Sequence, residues 1–63
     1  MKFENNCKKY NDYILGLIEK WAKRLDASEC TINTMGEITL MNKDGAICNN
    51  YTPDLQEIII FND

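Results

Sequence analysis

The 63-residue chain predicts an α+β fold, with one N-terminal amphipathic helix packed on a small antiparallel β-meander of three to four strands. Three observations carry this. Phe3, Cys7, Tyr10, Ile14, Leu17 and Trp21 recur at alternating intervals of four and three, which stacks them on one helical face. From Glu29 onward apolar and polar residues alternate, the two-residue period of a strand. Asp44-Gly45 stands between two such runs and is a strong signal for a hairpin turn. The length fits a single domain, 1–63, small enough to hide only about 60% of the surface its unfolded chain exposes.

The helix is expected over about 3–26. Asn5 or Asn6 caps its start, and Lys20, Lys23 and Arg24 place cations at the negative end of its dipole. Glu4–Lys8 and Glu19–Lys23 are acid-before-base pairs four residues apart. A heptad reading fails at Arg24 and Ser28, and the stripe drifts toward Ile18, Ala22 and Leu25, as in a straight helix lying on a sheet. Gly16 leaves room for a strand to approach the helix closely.

Strands follow over about 30–34, 37–42 and 46–51. The alternation points Cys30, Ile32, Ile38, Leu40 and Ile47 at the helix and Thr31, Asn33, Glu37, Thr39, Met41 and Asn50 at water. A calcium-loop reading of Asn42-Lys43-Asp44-Gly45 puts Leu40 and Tyr51 where acidic ligands belong, so the turn reading stands. The last segment gives two signals. Thr52-Pro53-Asp54 opens like a helix, with Thr52 as the cap, whereas Glu57-Ile58-Ile59-Ile60-Phe61 is β-branched and apolar. The reading adopted is a turn at Pro53 and a strand over about 57–61. Such a strand points Ile58 and Ile60 one way and Ile59 and Phe61 the other, and one helix covers only one face. The second pair then asks for another chain; the competing reading is a helical tail folded onto the core.

Composition narrows the chemistry. Cys7, Cys30 and Cys48 are odd in number and form no C-x-x-C pair, and the chain has no histidine. They read as free thiols in a reducing cytoplasm, with no metal site expected. There is no signal-peptide pattern and no apolar run of about 20 residues, so a soluble protein of a bacterial cytoplasm is expected, with no membrane contact. One serine (Ser28), scattered carboxylates and the isolated glycines Gly16, Gly36 and Gly45 supply neither an activated nucleophile nor a phosphate loop. An enzyme is not expected, nor a cofactor. Frequent asparagine and isoleucine suggest an AT-rich coding sequence, as in low-GC bacteria and their phages.

The net charge of −3 is unevenly spread: residues 1–25 hold six Lys/Arg and three acids, residues 26–63 one Lys and seven acids. Lys8, Lys9, Lys20, Lys23 and Arg24 with Tyr13 make a basic helical face, the basis of an alternative reading as a nucleic-acid-associated regulator. The sequence pI near 4.7 argues against direct nucleic-acid binding. Spaced acids, among them Asp26, Glu29 and Asp63, raise nucleic-acid mimicry, but they are only moderately dense and a solvated surface is the leading explanation. The leading expectation is a non-enzymatic protein-interaction module, with Tyr13, Glu37, Asp44, Tyr51, Asp54, Glu57, Ile59 and Phe61 as candidate partner-binding residues. In size, composition and lack of catalytic chemistry the chain resembles the small inhibitory proteins that phages encode, anti-CRISPR proteins among them. The resemblance is one of type and carries over no residue. It implies a host enzyme or nucleoprotein complex as partner; a homodimer is the second partner expected, from the two-faced tail.

Overall fold

Three strands form where the two-residue alternation falls, and around them the chain adds one strand and one helix that the pattern did not predict. The computed structural model describes residues 1–62, in the order β1 (Lys2–Asn5), α1 (Asp12–Arg24), β2 (Glu29–Ile32), β3 (Ile38–Met41), β4 (Ile47–Asn49) and α2 (Leu55–Asn62). Asp63 lies outside the described residues. The four strands make one sheet in the order β1-β2-β3-β4, with β1 parallel to β2 and the remaining pairs antiparallel. The α+β class stands. Two parts of the expectation do not: a strand, not a helix, comes first, and the sheet is mixed rather than an antiparallel meander.

The N-terminal misreading has a local cause. Phe3 sits four residues before Cys7 and so extends the helical stripe, but it also alternates with exposed Lys2 and Glu4 as a strand residue does. Asn5 decides between them. Its Oδ1 accepts the Cys7 N–H and its Nδ2 donates to the Cys7 carbonyl, both at 3.0 Å, so the chain turns there. The cap is Asn11, whose Oδ1 accepts the Ile14 N–H at 2.9 Å, and not Asn5 or Asn6. Residues 6–28, carrying α1, then form the long crossover that a parallel pair requires. With Glu4 in a strand its expected pair with Lys8 is void. Glu19–Lys23 does not form either: among the described residues the one salt bridge is Lys2–Glu29 at 3.9 Å.

Helix α1 ends in a Schellman arrangement. Asp26 takes φ +61°, its N–H donates to the Lys23 carbonyl, and the Ala27 N–H donates to the Ala22 carbonyl, both at 3.1 Å. Ile18, Trp21 and Ala22 are the buried residues of the helix, while Leu25 is exposed. They pack on the inner face of the sheet, whose register lines up Phe3, Cys30 and Leu40 in one row and Asn5, Ile32 and Ile38 in the next. Gly16 is not a point of close approach, because a Cβ built there meets nothing within 4 Å.

Both hairpins use one device, Asn-x-x-Gly. In β2–β3 the Oδ1 of Asn33 accepts the N–H groups of Met35 and Glu37, and the Gly36 N–H donates to the Asn33 carbonyl. In β3–β4 Asn42 holds Asp44, Ala46 and Gly45 in the same way. Gly36 and Gly45 supply the positive φ, +90° and +81°, that such turns need. Past the second turn the register shifts. Met41 opposes Ile47 but Leu40 opposes Asn49, which leaves Cys48 as an extra residue. Ile47 is therefore not turned toward the helix as the alternation implied. It lies 62% exposed beside Met41 on the outer sheet face.

The expected strand at 57–61 is helix α2. Asp54 caps it, its Oδ1 accepting the Glu57 N–H at 2.9 Å. Thr52 is not the cap; its hydroxyl accepts the Ile38 N–H at 2.8 Å. That bond ties the chain after β4 back to β3, and the extra residue at Cys48 and the missing N–H of Pro53 break the strand pattern there. Ile58 instead enters the core, 3% exposed, beside α1 on the inner face. Tertiary burial and a good cap outweigh a β-branched composition. Both helices thus cover one side of the sheet.

Candidate protein-contact surface

Fixing Ile58 in the core fixes what α2 shows to the outside. At about 100° per residue, Gln56 and Ile60 point away from Ile58, with Ile59 and Leu55 beside them. Ile60 is 72% exposed, Leu55 44% and Ile59 36%. Gln56, Ile59 and Ile60 line a depression of about 300 Å³. Five of the eight residues of α2 are apolar, and one, Ile58, is buried.

The flank of α2 opposite Ile59, along Glu57 and Phe61, carries opposite charge at its two ends. At the N-terminal end the Tyr51 hydroxyl donates to both carboxylate oxygens of Glu57, at 2.7 and 2.8 Å, next to Asp54. This hydrogen bond chiefly, with slight burial and the charges of Glu57 and Asp54, raises the pKa of Tyr51 and keeps it a donor. Asn49 fixes the loop by accepting the Tyr51 N–H at 2.7 Å. At the C-terminal end Nη1 of Arg24 donates to the Phe61 carbonyl at 2.9 Å, and its guanidinium lies 5.5 Å from the Phe61 ring centroid. The last turn of α2 has no basic residue of its own, so α1 provides the cation that suits its carbonyls.

Of the residues singled out from sequence, Tyr51, Asp54, Glu57, Ile59 and Phe61 belong to this helix and the loop before it. Phe61 is turned toward Arg24 and is 39% exposed. The other three sit on different elements. Tyr13 is on the first turn of α1, 67% exposed, Asp44 is in the β3–β4 turn, and Glu37 accepts a bond from Asn33 Nδ2 in the β2–β3 turn. Sequence reasoning missed Leu55, Gln56 and Ile60, since strand alternation sent Ile60 inward with Ile58. The signal was present: Asp54-Leu55-Gln56-Glu57 has the acid-x-x-Glu spacing of a helix start.

Other chemistry is sparse. Cys30 is fully buried, and burial first, then the charge of Glu19, pushes its thiol up to about 11. Cys7 is buried and Cys48 exposed. Among the described residues no group of three His, Cys, Asp or Glu side chains is placed to hold a metal ion, and no helix is long and apolar enough to cross a membrane. Of the basic face, Lys8, Lys20 and Lys23 are exposed, while the stem of Lys9 lies over Gly36. No family model matches the chain, and no curated protein or solved structure matches it either.

Proposed function

We propose that this is a non-enzymatic protein-interaction module, a phage-type inhibitor of a bacterial enzyme or nucleoprotein complex, that engages its target through the outward face of α2. One observation carries the reading: a helix apolar on nearly all sides, with a single residue in the core and Leu55, Ile59 and Ile60 left to solvent. Helices of that composition are normally covered all round. Helix-in-groove recognition uses apolar anchors one turn apart, and Leu55 and Ile59 have that spacing, with Ile60 beside them. Inhibition is by occlusion, which needs no reactive group. The site of action is the host cytoplasm.

Affinity capture from a candidate bacterial host tests this. Wild type is expected to retain a specific protein, and Ile60→Lys to lose it while keeping its circular dichroism. Retention unaffected by Ile60→Lys and by Ile59→Lys would sink the reading. The alternative, a regulator whose basic α1 face touches nucleic acid, draws on exposed Lys20, Lys23 and Tyr13 of that helix, with Lys8 in the turn before it. It requires a mobility shift that weakens steeply with salt.

A further inference from the structure

We infer that α2 is the releasable element of this fold. Its segment 55–61, once released, becomes a β-strand and stacks with the same segment of other copies in a cross-β assembly. The target-binding face of the folded helix plays no part in this step. Sequence and structure are in conflict at α2. Ile58, Ile59, Ile60 and Phe61 prefer a strand, yet they stand in an eight-residue helix. Isoleucine loses rotamer freedom in a helix, and isolated helices shorter than about 12 residues are marginal in water.

Little holds them there. Ile58 is the one buried residue of α2 among those described. The Asp54 cap and the bonds from Tyr51 to Glu57 and from Arg24 to Phe61 are all exposed, so water replaces them readily. The helix also has no place in the sheet ladder. Elements with so little burial open locally before the whole molecule unfolds. The other β-forming runs are not free in this way, because β2 and β3 are each paired on both sides.

Once open, Leu55-Gln56-Glu57-Ile58-Ile59-Ile60-Phe61 has one charge, no proline and no glycine, the composition of a strand that pairs with its own copies. Such a strand is apolar on both faces, Ile58 and Ile60 on one, Ile59 and Phe61 on the other. Stacked copies cover both. Each backbone pairs with the copies above and below, and side chains of facing sheets interdigitate. In register, every isoleucine meets the same isoleucine of the next copy, so no foreign sequence is needed. Glu57 stacked on itself opposes assembly, and added salt therefore speeds it.

Freshly filtered full-length protein at about 100 µM, within the range where released strands associate, tests this. Wild type is expected to develop thioflavin fluorescence after a lag that shortens with salt. Its fibres should diffract at about 4.7 Å and about 10 Å, with hydrogen exchange placing their protected core at 55–61. Asp54→Ala lies outside the segment and removes the helix cap, so it should shorten the lag several-fold. Ile59→Leu combined with Ile60→Leu keeps the apolar surface but favours helix over strand, and should lengthen the lag several-fold. Protection of Cys30 from a thiol reagent in the fresh samples shows that each variant starts folded. No assembly by either wild type or Asp54→Ala, a protected core outside 55–61, or a leucine variant as fast as wild type would each overturn the inference.

Discussion

Asparagine side chains shape the irregular parts of this chain. Asn5, Asn33, Asn42 and Asn49 each accept a backbone N–H at a turn, and Asn11 caps α1. Their frequency, taken from sequence as a mark of base composition, has a direct structural use. Two glycines separate propensity from geometry. Gly16 lies within a helix with open space where a Cβ would go, so Gly16→Ala should raise stability by about 0.5–1 kcal/mol in urea unfolding. Gly36 has φ +90°, and a Cβ there would stand 2.8 Å from Cε of Lys9 and 3.2 Å from the Tyr10 hydroxyl that donates to the Gly36 carbonyl. Gly36→Ala should therefore cost about 1–3 kcal/mol by the same measurement. The buried thiol of Cys30 gives a pH signature. Its ordinary value is 9.0 and the fold raises it to about 11, so the folded state holds that proton more tightly. The resulting stability is fully present below pH 9 and is lost as the pH rises toward 11. Urea midpoints across that range should fall in wild type and fall less in Cys30→Ala; parallel curves would contradict the assignment. Tyr51, raised by Glu57, acts in the same direction, and Tyr51→Phe separates it.

The attachments of helix α2 include Ile58 in the core, the Asp54 cap, Tyr51 on Glu57 and Arg24 on Phe61. Ile58→Ala should cost about 2–4 kcal/mol, and Asp54→Ala about 1 kcal/mol. In hydrogen exchange both should deprotect the amides of 58–61 before those of β2 and β3, because α2 lies outside the sheet ladder. This element also shows where sequence stops being informative. The run Glu57-Ile58-Ile59-Ile60-Phe61 is β-branched, and what favours the helix is the Asp54 cap, the burial of Ile58 among core residues and the chain path set by Cys48 and by the Thr52 bond to Ile38. None of these is a pattern within the run itself. By contrast β2, β3 and the turn at Gly45 were legible, because alternation and Asp-Gly act locally. Its twin Asn33-x-x-Gly36 was not read as a turn, since Asn33 continued the alternation and was placed in the strand over about 30–34. The strand β1 was not legible: four residues pairing in parallel with a segment beyond position 28 leave no local pattern, and Phe3 imitates the helical stripe. Of the candidate surface, the loop and acids were read from sequence, but Ile60 was placed on the wrong side by assuming a period of two.

As a whole the molecule has two layers, helices α1 and α2 over one side of the sheet, with Met41 and Ile47 on the other. A core built from so few residues leaves little margin, and Cys30, Ile32, Ile38 and Leu40 carry most of it from the sheet side. Among the described residues, apolar side chains are exposed singly at Leu25, Met35 and Ile47 and together on the outward side of α2. The proposed function assigns binding to the α2 group. Photocrosslinking measures that choice directly: a photoreactive residue is placed at position 60, 47 or 13 and irradiated in bacterial cells that express the protein. The account predicts a discrete protein adduct from position 60, with little from 47 or 13. Adducts from position 47 or 13 and none from 60 would contradict it.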